Sequence, residues 1–146
     1  MVTKYSVECW VFSPERQVLL LQVGARPGKH EAFWQPVTGG IEQGEQAIGA
    51  ALREIAEETQ LRLREDDLSR VRTGFTVEIS PELTISKTIY IARAPHTTVA
   101  TNPEEHIAHR WLAAAEVPST LYWASNRETW ELVEAYQQST AANHDP

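Results

Sequence analysis

Apolar and polar positions along the chain switch between a two-residue and a helical period, and the switches predict the elements. Residues 4–12 are rich in β-branched and aromatic types and read as a strand. Residues 13–16 form a turn around Pro14, and the apolar run 17–23 reads as a buried strand pairing with the first. Residues 24–31 read as a loop, 33–37 as a brief extended segment and 38–40 as a glycine turn. From about 45 to 60 the period lengthens, and Ile48, Ala51, Leu52 and Ile55 make one apolar stripe of a helix. Residues 70–79 and 83–93 read as strands joined by a turn at Pro81, the second half-buried because Leu83, Ile85, Ile89 and Ile91 share one parity. A further strand is predicted over 106–112, a short helix over 113–117 stopped by Pro118, and an amphipathic helix over 125–138. The polar tail, 139–146, is expected to fray. This order predicts a mixed α/β fold in one domain spanning 1–146, without repeats or an interdomain linker.

The chemistry concentrates on the first predicted helix. At roughly 100° per residue, Glu54, Glu57 and Glu58 fall on one arc beside the apolar stripe. Three like charges at that spacing repel one another, and a hard cation would remove the penalty, since Mg²⁺ takes oxygen ligands and bridges carboxylates to phosphates. Acidic helix faces are usually only solvated, so the cluster needs its context.

That context is a spacing. Gly39, five residues, Glu45, seven residues and then Arg53-Glu54-Ile55-Ala56-Glu57-Glu58-Thr59-Gln60-Leu61 resembles the signature of the Nudix family. The family pattern has glycine where this chain has Gln60. A left-handed residue is common just past a helix and costs a side chain with Cβ about 1–2 kcal/mol, so Gln60 either accepts that strain or ends the helix another way. The resemblance implies the Nudix fold, a mixed β-sheet sandwiched between α-helices. It also implies hydrolysis of a phosphoric anhydride with Mg²⁺ or Mn²⁺. Glu54, Glu57 and Glu58 would hold the metal, and the Thr38 carbonyl could add a ligand. Arg53 and Glu45 would pair and orient the acids. Glu105 lies where the resemblance places a further acid near the metals, and it competes with Glu57 as the base that takes a proton from water. Adjacent strand residues point to opposite faces, so only one of Glu104 and Glu105 is expected in the site.

Residues 33–40, 105–112 and 123–127 are similar to the branch of the family that acts on dihydroneopterin triphosphate. That implies release of pyrophosphate from a pterin or nucleoside triphosphate. The alternatives are a hydrolase of dinucleoside polyphosphates or RNA 5′ ends, which share the Trp34-Gln35-Pro36 pattern, and a catalytically silent binding module. Within this frame Arg26 and Lys29 could contact phosphates, Trp34 could stack on the ring, and Gln35 could read its edge. Trp123 sits between rim and core, whereas Trp10, Trp111 and Trp130 read as core. His106 and His109 lack a convincing zinc partner.

Composition narrows the partners. At 146 residues, 42% hydrophobic and 23% charged, the chain is long enough for one full core. A net charge of −7 counts against broad nucleic-acid binding but not against a phosphorylated small molecule held through a cation. No apolar run approaches the ~18 residues of a membrane span, and no signal peptide is expected at residue 1. The single cysteine, Cys9, reads as a buried core residue, consistent with the cytoplasm. A homodimer is compatible, because many family members are dimers.

Overall fold

Strand β1 (Val2–Phe12) is the axis on which the other elements assemble. In the computed structural model, which describes residues 1–144 and side chains to residue 140, seven strands form one mixed sheet. One edge of β1 pairs in parallel along its whole length with β6 (Leu83–Arg93), which pairs antiparallel with β5 (Leu68–Ser80). Its other edge is shared. It pairs antiparallel with β4 (Val37–Gly40) over Ser6 to Cys9 and touches β2 (Val18–Val23) only at Phe12. Strand β2 carries β3 (Phe33–Gln35) and β7 (Ala108–Leu112) on its edges.

The run of apolar residues in β1 is explained by burial on both faces. Val7, Cys9 and Val11 face α1 (Ala47–Thr59), together with Leu19, Leu21, Val37, Ala51 and Ile55. Trp10 and Phe12 face α3 (Ala124–His144), where Trp130 lies 5.3 Å from Trp10 and Val133 completes the contact. Cys9 is fully buried, and burial pushes its thiol up, so it is an inert core residue. Trp111 is only half-buried against the α1 side, and its indole donates to Thr97 O at 3.1 Å.

Several boundaries differ from the sequence expectation. Residues 38–40 are not a free turn, because Gly39 pairs with Val7 and Gly40 with Ser6 in the β1–β4 ladder. Pro118 opens the helix α2 (Val117–Thr120) instead of stopping one, since proline is tolerated in a first turn where no N–H is needed. Glu104 and Glu105 lie in a turn, not a strand, so alternation does not govern them; β7 begins only at Ala108. Helix α3 runs on to His144 where an end near 138 was expected, and residues 145–146 lie outside the described residues.

Helix α1 ends at Gln60, which adopts φ 66°, ψ 8° and donates its N–H to Ala56 O at 2.9 Å. The residue therefore accepts the left-handed conformation that glycine takes without cost. Gln60→Gly should raise stability by about 0.5–1 kcal/mol, the relief of Cβ strain less the extra freedom glycine gains in the unfolded chain. Chemical denaturation measures it, and a loss of stability would contradict the strain.

Candidate functional site

Helix α1 lies close on the sheet because Ala50 and Ala51, both fully buried, leave room for it against β4 and β1. Continuing at helical spacing from Ala50, Glu54 and Glu58 are carried into that contact, at 9% and 2% exposure. Glu57 stays outside, with 54% of its side chain exposed. The common arc expected from the sequence is thus divided into a buried pair and an outer acid. A helical wheel gives direction, and the depth is set by the strand opposite.

At the point of closest approach that strand carries Gly39. A Cβ built there would fall inside the Glu54 carboxyl group. Glycine is needed at this position for proximity, since Gly39 has no positive φ. Desolvation raises the Glu54 pKa, and Arg53 opposes that shift.

Arg53 ties the local elements together. Its Nε and Nη2 donate to the two Glu45 oxygens at 2.9 and 3.0 Å, and Nη2 also donates to Gly40 O at 2.9 Å. Nη1 donates to Glu54 at 2.8 Å and to Glu57 at 3.4 Å. Glu45 in turn accepts from the Glu42 N–H at 3.0 Å. The Arg53 hydrogen bond, helped by that from Glu42, lowers the Glu45 carboxyl to about 2. The pair is therefore intact above the ordinary carboxylate range and is lost only as pH falls toward 2.

A second group meets Glu58 from the turn before β7. The turn is closed by the Glu105 and His106 N–H groups, which both donate to Asn102 O at 3.0 and 2.9 Å. It brings Glu105, exposed, and His106, buried, beside Glu58, with one ligand atom from each within 4.8 Å of the others. His106 Nδ1 contacts Glu58 Oε2, yet neither buried atom has a well-aligned hydrogen-bond partner. His106 thus has the acidic neighbours that its sequence context did not reveal. Hydrogen bonding to Glu58, then desolvation and the Glu58 charge, push the Glu105 carboxyl up to about 7. Burial alone would raise Glu58, but hydrogen bonds from His106 and Glu105 outweigh it and hold its carboxyl below the usual value. A buried carboxylate beside further acids is a donor set that suits a hard divalent cation. The ligand atoms close enough to share such an ion are those of Glu58, Glu105 and His106, with Glu54 buried one turn earlier on α1 and Glu57 at the rim.

On the opposite face of the sheet a cleft of about 560 Å³ opens between β1, β6 and the start of α3. Of the sequence-predicted contacts, Gln35, Thr38 and Trp123 line it. Thr38 is adjacent to Gly39 in β4, and its hydroxyl donates to Val7 O at 3.1 Å. Trp123, 42% exposed, is braced edge-to-face by Phe33 at 5.3 Å and Tyr122 at 4.7 Å. Trp34 does not line the cleft; it packs on the α3-side core with Arg110 over its ring at 5.7 Å. Arg26 and Lys29 are exposed in a turn closed by Lys29 N–H to Arg26 O, away from the cleft.

The cleft floor holds a group that the sequence reading missed. Glu8, fully buried, accepts from Lys87 Nζ at 2.9 Å, Asn126 Nδ2 at 3.0 Å and Trp10 Nε1 at 3.0 Å. The available signal was one acid within the apolar run of β1. Its partners lie 79 and 118 positions away, beyond any local pattern.

Comparison with known proteins agrees with this geometry. The NUDIX domain model matches residues 2–133. Dihydroneopterin triphosphate diphosphatase of Escherichia coli K12 is 34% identical over 128 residues, covering 80% of this chain and 81% of that protein. The solved E. coli dihydroneopterin triphosphate pyrophosphohydrolase superposes with a TM-score of 0.70 at 28% identity, covering 90% of this chain and 96% of that one. A Caenorhabditis elegans Ap4A hydrolase, at 19% identity, TM-score 0.68 and coverage of 93% and 98%, shares the fold. With its box residues gathered around Gly39 and Arg53, this chain belongs to the Nudix hydrolase family.

Proposed function

We propose that the protein is a divalent-metal-dependent pyrophosphohydrolase that cleaves a pterin or nucleoside triphosphate to the monophosphate and pyrophosphate. The observation that carries this reading is the buried pair Glu54 and Glu58, with Glu105 beside Glu58, together with a cleft of about 560 Å³ on the opposite face of the sheet that is large enough for a bicyclic ring. The E. coli relative named for dihydroneopterin triphosphate supports the substrate class.

Glu54, Glu58 and Glu105 would hold Mg²⁺ or Mn²⁺, which neutralises polyphosphate charge and acidifies a bound water. Arg53 fixes the Glu54 and Glu57 carboxylates, and Glu45 fixes Arg53. His106 orients Glu58 from behind. Water attacks phosphorus, the bridging P–O bond breaks, and pyrophosphate departs with the bond's electrons. Glu105 takes the water's proton. It sits beside the buried Glu58, next to the acids that would hold the metal. Glu57, the outer acid, completes the metal environment. Trp123 and Gln35 border the ring, and Trp34 supports β3 from the core side.

A panel of triphosphates with Mg²⁺, read by pyrophosphate release, tests the reaction; cleavage of diadenosine tetraphosphate alone, without pyrophosphate, would overturn it. Glu57→Gln should lose about 10²-fold or more in kcat while stability changes by less than about 0.5 kcal/mol, because the side chain is largely exposed. Gly39→Ala should cost about 10²-fold in activity with a small stability change, since the new methyl displaces a flexible carboxylate instead of backbone. Near-normal turnover in either variant would contradict the metal-site assignment. Metal binding should release protons below about pH 7, where Glu105 is protonated in the metal-free site, and affinity should rise as pH increases through that value. Calorimetry in buffers of different ionisation enthalpy reads the release; proton uptake would reverse the assigned sign.

A further inference from the structure

The cleft floor carries a fixed pattern of hydrogen-bonding groups. Glu8 is fully buried, and both of its oxygens are engaged: Oε1 by Lys87 and Asn126, Oε2 by Trp10. The carboxylate has no exposed surface of its own, but it dictates what its neighbours offer. A carboxylate only accepts, so the Asn126 amide must turn its nitrogen to Glu8 and keep Oδ1 as its free acceptor. Among the described residues Oδ1 makes no hydrogen bond. Lys87 has three N–H donors, of which Glu8 takes one. Both side chains line the cleft, as do Gln35 and Trp123. The floor thus presents a donor and an acceptor, held by one buried charge, below an aromatic rim.

We propose that Lys87 and Asn126, positioned by Glu8, select a ring with a lactam edge, a carbonyl next to a ring N–H, as in a pterin or a 6-oxopurine. Lys87 donates to the ring carbonyl and Asn126 Oδ1 accepts from the ring N–H. Adenine and cytosine present the reverse order, an amino group beside a bare ring nitrogen. They would bring an N–H against the Lys87 ammonium and a lone pair against the Asn126 oxygen. Glu8 touches no substrate; it is a positioning residue. This inference rests on the reading of the protein as a triphosphate pyrophosphohydrolase and narrows its substrate class.

Removing Lys87 alone would strand the buried Glu8 carboxylate, so the informative variant is the near-isosteric pair Glu8→Gln/Lys87→Met. Wild-type kcat/KM for dihydroneopterin triphosphate, GTP and ITP should exceed that for ATP by at least about tenfold, because a site built to hydrogen-bond one edge rejects its reverse. In the paired variant these ratios should fall to within about threefold of one another. The affinities for GMP, IMP and AMP, measured by calorimetry, should show the same preference and its loss without depending on turnover. A wild-type protein without the preference, or a paired variant that loses activity on every substrate with the ratios intact, would overturn the proposal. The second result would make Glu8 and Lys87 a folding pair only. Absence of pyrophosphate release from every triphosphate sinks the proposed reaction instead, and the affinity ratios still decide the lactam selection.

Discussion

Glu54 can be buried on α1 because Arg53 is there, and Glu58 one turn later because His106 meets it. Two carboxylates pressed between a helix and a sheet repel each other and lose their hydration, a cost of several kcal/mol per ion in a poorly solvated site. Arg53 offsets part of it by spreading its donors over Glu45, Glu54, Glu57 and the Gly40 carbonyl. The same guanidinium therefore connects the loop before α1, the strand opposite it and the helix itself. Gly39 supplies the complementary constraint, an absent side chain where Glu54 must rest. Charge compensation and close approach together place the carboxylates, and neither would suffice alone.

The far face of the sheet follows the same logic with different residues. Glu8 is an acid in the middle of a core strand, and it is satisfied by Lys87 on β6, Asn126 on α3 and Trp10 on β1 itself. These bonds hold the start of α3 against the sheet and thereby define the cleft. Thr38, between Gly39 and the cleft wall, links the two faces within a single short strand. Among the described residues no helix is long and apolar enough to cross a membrane, and α3 packs on the sheet through Trp130 and Val133.

What could be read in the sequence was whatever local spacing encodes. Helix α1, its apolar stripe, the Arg53–Glu45 pair and the left-handed demand on Gln60 all follow from positions within one short segment. Strands β1 and β2 were legible from their apolar and β-branched composition, and β6 from the single parity of Leu83, Ile85, Ile89 and Ile91. Depth was not legible: the wheel that grouped Glu54, Glu57 and Glu58 could not know that Gly39 would admit one and that Glu57 would face water. Pairing across the chain was equally hidden. Trp34 looked like a stacking platform until Arg110 and the α3-side core covered it, and His106 looked unpartnered until the turn at Asn102 brought it to Glu58. Pro118 misled for a simpler reason, since a proline that ends one helix can equally begin another.

The central claim is that the buried acids of α1 form a divalent-cation site. Thermal unfolding of the wild type and of Glu54→Gln/Glu58→Gln, each with and without Mn²⁺, tests it most directly. The expected result is a metal-dependent rise in Tm for the wild type, because an ion that binds only the folded state stabilises it by mass action. In the paired variant the rise should vanish, because the carboxylates that would hold the ion are gone. An equal metal response in both proteins would contradict the claim.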